Sequence, residues 1–308
     1  MTMKFYVGIT DWDWFTYLSS DELSEEVNFW RPSGDRAFRA LEIGEPFLFK
    51  LHSPRNFIVG GGFFRYFTGL PVSFAWSAFG THNGAKTEHE MRTRIERYRR
   101  FYAGSSEDYQ IGCILLQSPF FFKEDDWIPA SDWDPNIVQG RTYDTSDLRA
   151  EAIWEQVQNR LKGKTLQPVD AMASVDRFGK PQLVAPRLGQ GTFRVIITDA
   201  YRRRCALTSS PVLHVLDAAH IRPFANNGPH DPRNGLLLRQ DVHTLFDRGY
   251  ITVTPEHRVE VSRRIKDEFE NGHEYYAEHG KIIALPGPPD LRPADEFLVW
   301  HNENVYVA

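Results

Sequence analysis

Cysteine is scarce. Of 308 residues only Cys113 and Cys205 are cysteines, far apart and outside any CxxC pattern. That excludes a disulfide framework and a four-cysteine zinc site. No apolar run approaches the ~20 residues that span a bilayer, and no apolar segment with a basic flank follows Met1. A cytoplasmic protein with no membrane partner is the expectation. Net positive charge is also missing: the formal charge is −5, which does not advertise a nucleic-acid binder. No internal repeat is visible.

What the chain does have is a hydrophobic share of 41% and a charged share of 25%, normal for a soluble protein with a real core and long enough for two domains. Aromatics are plentiful, with twenty-two Phe and eight Trp, enough to fill a core and to line a pocket that stacks a planar ligand. The charge is uneven. Residues 187–266 hold thirteen Lys+Arg against seven Asp+Glu, near +6, which leaves the remainder near −11. A basic C-terminal region is compatible with phosphate contacts.

Residues 3–10 read as a strand, followed after a polar stretch by Phe29-Trp30 and then by strands at 47–51 and 56–64, joined by the turn His52-Ser53-Pro54-Arg55. A helix is expected over 87–101, a buried strand with a structural Cys113 over 111–117, and a helix over 147–161. Residues 161–187 turn to Lys, Gly, Gln, Pro and Ser, which places a linker at 161–186 between domains at 1–160 and 187–308. Beyond it a helix is expected at 192–204 and a strand at 212–219. A Gly/Pro/Asn loop at 223–234, a helix at 240–246 stopped near Gly249, and a hairpin of 251–254 with 259–262 complete the pattern.

The stretch LDAAHIRPFANNGPHDPRNGLLLRQDVHTLFDRG, residues 216–249, places a His on a strand, an Asn after a loop and a His on a following helix. One-metal hydrolysis of a phosphodiester needs a base for water and a hard cation on the scissile phosphate. His220 is placed to be that base, and a neutral imidazole is available near pH 7. Asn234, just before the helix, is positioned to hold the loop and orient the imidazole. His243 and Asp247, four apart on a helix, share a face and can chelate one ion, with Asp217 the carboxylate that completes the set. His214 is read as structural and His230 as a loop or phosphate contact. Arg222, Arg233 and Arg248 are the candidates for DNA phosphates.

At these residues the chain resembles the HNH endonuclease family, whose site is a strand–loop–strand–helix finger around one divalent metal. The likeness extends to Arg187 through Gln190, Phe193-Arg194, Tyr201 to Thr208, and a tail with Tyr275-Tyr276, Gly280, Leu285-Pro286 and 297–301. The resemblance implies His220 as base, Asn234 as orienting residue and His243 as metal ligand. It also implies one ion per site: Mg2+ or Mn2+, with Zn2+, Ni2+ or Co2+ as further choices. Where many members carry a metal ligand immediately before the base, this chain has Ala219. One nicking site per chain makes a homodimer the natural route to a double-strand break.

The first half resembles the PUA-like β-barrels that include the EVE, ASCH and YTH domains, through MKFYVGIT, Phe29-Trp30 and LEIGEPFLFKLHSPRNFIVGGGFF. The resemblance implies an aromatic pocket for a flipped, modified base. Trp30, Tyr66 and Trp76 are its candidate walls, with Ser33 and Asp35 its candidate edge readers. Gly60-Gly61-Gly62 is no phosphate loop, and it allows either a close backbone approach or a strand bulge. The expected fold class is α+β: a PUA/EVE-like β-barrel with flanking helices, then a ββα-metal nuclease domain. The expected function is cleavage of double-stranded DNA carrying 5-methyl- or 5-hydroxymethylcytosine. The alternatives are N6-methyladenine DNA or modified RNA as target, and a non-catalytic binder with a degenerate finger.

Overall fold

The computed structural model describes residues 3–20, 25–34, 36–99, 107–130, 133–162 and 188–308. The linker expected at 161–186 lies almost wholly outside these residues, as do Asp35 and Arg187. The chain divides into two compact units, Met1–Pro186 and Arg187–Ala308, and the fold class is α+β.

The first unit is built on one sheet. Its strands are β1 (Lys4–Thr10), β2 (Glu26–Arg31), β3 (Pro46–Leu51), β4 (Phe57–Pro71), β5 (Gln110–Phe121), β6 (Ile128–Pro129) and β7 (Gly140–Asp144). They run in the order β2-β5-β4-β3-β1-β7, with β6 on β4, and β1–β3 is a parallel pair. Strand β4 continues seven residues beyond the expected end at Phe64. Gly60-Gly61-Gly62 carries the bulge there, because pairing with β5 shifts between Gly61 and Phe63 and again between Phe64 and Tyr66. A Cβ on Gly61 would sit 2.7 Å from the Phe120 ring and from the Phe47 carbonyl, so close strand packing requires glycine.

Four helices flank the sheet: α1 (Trp12–Ser19), α2 (Val72–Phe79), α3 (Glu88–Tyr98) and α4 (Leu148–Leu161). Helix α3 begins where the Thr87 hydroxyl accepts from the Glu90 amide, and α4 where Asp147 accepts from the Arg149 and Ala150 amides. Such caps contribute about 1 kcal/mol each. Phe47, Phe49, Trp14 and Phe15 pack into one buried cluster, and Phe5, Leu48, Phe120 and Phe122 into another. Cys113 is fully buried on β5, in the structural role expected of it.

The second unit contains α5 (Gln190–Ala200), β8 (Leu216–His220), β9 (Gly235–Arg239), α6 (Gln240–Asp247), β10 (Ile251–Val253), β11 (Val259–Val261), α7 (Arg264–Phe269), α8 (His273–Tyr276) and α9 (Asp295–Asn304). Three expectations need correction. Helix α5 stops at Ala200 rather than 204, because Arg202 and Arg203 adopt positive φ. The strand expected at 212–219 starts only at Leu216, after a 3-10 turn at Leu213–Val215. Asn234 does not adjoin the helix: strand β9 intervenes and pairs antiparallel with β8, His220 opposite Gly235.

Helix α6 ends at Gly249, whose φ of +73° and 2.0 Å Cβ approach to the Val305 carbonyl admit no side chain. The end is braced from α9. The His301 ring stacks on Phe246 at 3.7 Å, Nε2 donates to the Phe246 carbonyl, and Nδ1 lies 2.8 Å from the Thr252 hydroxyl. Burial favours the neutral imidazole, to which that hydroxyl donates, and pushes His301 down to about 4. The folded value lies below the ordinary 6.5. Its stabilising contribution is therefore complete above about pH 6.5 and is lost as pH falls toward 4, on the order of 3 kcal/mol at full effect. The urea midpoint of the full chain should drop between pH 7 and pH 5 in the wild type and change less in His301→Leu. Equal pH dependence in both would refute the assignment.

Candidate active site and candidate ligand cavity

Antiparallel β8 and β9 with α6 laid against them form a ββα finger, and α5 packs on the same two strands. Gly235 permits that approach, since a Cβ there would meet Ile197 at 2.5 Å and Phe193 at 2.9 Å. Between these elements is a cavity of about 560 Å3 that brings together Asp217, His220, His243 and Asp247 with Gln190, Phe193 and Arg194.

His220 is half-buried. Its ring stacks on Phe193, centroids 4.1 Å apart and planes within 11°, and its Nε2 lies 2.9 Å from His230 Nδ1. Burial, and then the neighbouring His230 and His243, push it down to about 4. The ring is therefore neutral through the physiological range, the state a base requires.

Asp217 and Asp247 flank opposite nitrogens of one imidazole. Asp217 Oδ2 is 3.7 Å from His243 Nδ1, and Asp247 Oδ2 is 3.4 Å from His243 Nε2. The Asp217 carboxyl also lies 3.8 Å from the Arg194 guanidinium. His243, and then Arg194, outweigh burial and hold Asp217 below its ordinary value. Burial alone would lower His243, but Asp217 and Asp247 together raise it. Asp247 itself is raised by desolvation that exceeds the pull of His243.

Two carboxylates and an imidazole are the donor chemistry a divalent cation takes, so the residues fit the expected metal by type. Yet among the described residues no three such side chains converge on one point. The arrangement presents two N/O donor pairs rather than one triad.

Asn234 is fully buried, and its side chain is spent on the loop. Oδ1 accepts from the Arg222 amide, and Nδ2 donates to the Arg222 and Pro229 carbonyls. It holds the loop as expected, but its side-chain carbonyl does not bond the His220 ring. Asn234→Ala would remove the partner of three half-buried backbone groups, at about 1 kcal/mol apiece. A loss of roughly 2–4 kcal/mol in chemical denaturation is the expected result, and a loss under 1 kcal/mol would count against this role.

Arg222 donates through Nε to the Asn226 carbonyl, Arg233 is paired with Asp231 at 2.7 Å, and Arg248 is exposed just past α6. None of them lines the cavity, whereas Arg194 does. Gln190, Phe193 and Arg194 received no role from the sequence, although their i, i+3, i+4 spacing on one helix face was a usable signal.

In the first unit a cavity of about 840 Å3 is lined by Tyr6, Trp14, Phe29, Trp30, Ser33 and Tyr98, among others. Of the candidate pocket residues, Trp30 and Ser33 line this cavity. Tyr66 and Trp76 do not: Tyr66 lies in the unexpected continuation of β4 and Trp76 on α2, and neither lines the cavity. The polar wall comes from elsewhere, with the Tyr98 hydroxyl donating to Asp11 at 2.5 Å and the Trp30 indole donating to the Asn83 carbonyl.

Residues 205–254 match the family described as HNH endonuclease, and this interval contains every member of the finger's cavity from Asp217 to Asp247. The matched interval lies wholly within the second unit, at the residues that carried the resemblance. Solved structures similar to the chain include an ASCH protein from Zymomonas mobilis, at 14% identity and a TM-score of 0.26. That similarity covers 37% of this chain and 66% of the other, just under two thirds. Another is the modification-dependent restriction endonuclease TagI, at 11% identity and a TM-score of 0.29 over 92% of this chain and 76% of the other. No curated protein matches the chain. Among the described residues no helix is long and apolar enough to cross a membrane.

Proposed function

We propose that the chain is a modification-dependent restriction endonuclease, with a reader at 1–160 joined through 161–186 to a nuclease at 187–308. The observation that carries the reading is one cavity, inside the HNH-matching interval, that holds a neutral histidine beside a carboxylate–imidazole cluster. His220 takes a proton from water as the oxygen attacks phosphorus and the bond to the leaving oxygen breaks. Asp217, His243 and Asp247 would hold a divalent ion, Mg2+ or Mn2+ before Zn2+, Ni2+ or Co2+. Such an ion supplies charge stabilisation for the phosphate and the departing oxyanion. Arg194 lies across Asp217, and Arg222, Arg233 and Arg248 offer contacts to neighbouring phosphates.

The reader would take a flipped cytosine carrying a 5-methyl or 5-hydroxymethyl group against the aromatic wall that includes Trp30, with Ser33 and Asp35 at its edge. Two chains acting as a homodimer would cut both strands of the duplex. Digestion of matched plasmids with and without modified cytosine, in Mg2+ or Mn2+, tests both halves. Selective cutting of the modified plasmid is expected. Equal cutting removes the reader assignment, and no cutting with any divalent metal removes the nuclease assignment.

A further inference from the structure

We propose that His230 is a positioning residue for His220, fixing the tautomer and direction of the ring that takes the proton from water. The inference rests on the nuclease reading above and adds to it a residue that the finger's motif does not supply.

A catalytic imidazole needs a partner on its second nitrogen, commonly a carboxylate or a carbonyl, to decide which nitrogen carries the hydrogen. Among the described residues no hydrogen bond or ion pair joins a carboxylate to His220, and Asn234 is occupied with the loop. The partner present is His230, whose Nδ1 lies 2.9 Å from His220 Nε2. The two rings meet edge to face at 62°. Each is held from its other side: His220 lies flat on Phe193, and His230 stacks on Phe224 at 5.3 Å and 16°. Phe224 is 60% exposed, a large apolar side chain left at the surface over the histidine pair.

The short contact allows the shared hydrogen to sit on either ring, and only one arrangement leaves His220 a free lone pair for the base role. Neutral His220 has one ring hydrogen. Placed on Nε2, it is donated to the His230 Nδ1 lone pair, and His230 keeps its own hydrogen on Nε2. The free lone pair is then His220 Nδ1. When water gives up its proton, the O–H bond breaks, a new N–H bond forms at Nδ1, and the oxygen bonds to phosphorus as the bond from phosphorus to the leaving oxygen breaks. The imidazolium that results still donates from Nε2 to His230, now as a charge-assisted bond, which is the stronger kind. A neutral His230 therefore stabilises His220 most after proton transfer, which lowers the barrier rather than tightening the ground state. A protonated His230 would instead repel the imidazolium and push His220 down.

Two variants of the full-length chain separate this role from loop packing. His230→Phe keeps an aromatic ring on Phe224 and removes the acceptor. His230→Asn gives up the ring and keeps a carbonyl oxygen near the Nδ1 position. The expected result is a fall of about 10–100-fold in kcat for His230→Phe at unchanged KM, with His230→Asn recovering most of it. Imidazole nitrogen NMR of the metal-free chain should show His220 as the Nε2–H tautomer in the wild type and a mixture in His230→Phe. The proposal is overturned by kcat within twofold of wild type in His230→Phe, by equal losses in both variants, by a rise in KM alone, or by an unchanged His220 tautomer. Should the wild type cut nothing, the nuclease reading fails by itself, while the tautomer measurement still decides whether His230 sets the ring.

Discussion

His220→Ala is expected to lower DNA cleavage roughly 10²–10⁴-fold, the range for loss of a positioned general base, while DNA binding by gel shift stays near wild type. The expectation follows from the state of the ring. Half-buried on Phe193 and beside two other histidines, it is pushed down to about 4 and is an unprotonated acceptor near neutral pH. The sign of the pH dependence follows too. The base is lost only as pH falls through about 4, so at saturating metal the acid limb assigned to it should lie below pH 5. Cleavage by His220→Ala within tenfold of wild type would show that another group takes the proton. Because the ring is half-buried, truncation leaves a gap over Phe193, and a thermal melt of the variant should accompany the assay.

His243→Ala should have the second large effect. This imidazole is the shared member of both donor pairs, 3.7 Å from Asp217 and 3.4 Å from Asp247. Without it the two carboxylates lose their common partner, and Asp217 keeps only Arg194. Titration with Mn2+ should show affinity weakened on the order of 100-fold or more, since even outer partners of metal ligands cost up to that much. Cleavage should fall with it and recover only in part at high metal. An unchanged Mn2+ isotherm would move the metal away from His243 and leave Asp217 and Asp247 as an ordinary ionic patch.

Much of the finger was legible because its chemistry is local. His220, Asn234, His243 and Asp247 lie within a short interval, and the spacing of the last two along one helix put them on one face. Strand β9 was not legible. GLLLR centres on a continuous apolar run against which α5 and α6 pack, and such a run does not declare strand or helix by period. The overlong helix at 192–204 failed for a related reason, since Tyr201 to Arg204 carry helix-compatible side chains on a backbone that turns through positive φ. The role given to Asn234 was half right because an amide can satisfy a loop or a ring, and only the fold shows that it is already saturated. In the first unit, aromatic composition pointed to a cavity but could not sort Trp30 from Tyr66 and Trp76. That depended on where β4 ends and α2 begins.

The brace between α9 and α6 bears on when the nuclease becomes complete during synthesis. Residues 216–247 leave the ribosome well before residues 295–307, which supply His301 beneath Phe246 and the Val307 amide that donates to the Gly249 carbonyl. A nascent chain can thus pair its two short strands while the far end of the helix bearing His243 and Asp247 still lacks its anchor. The second unit would then reach full order only after the first has already left the ribosome.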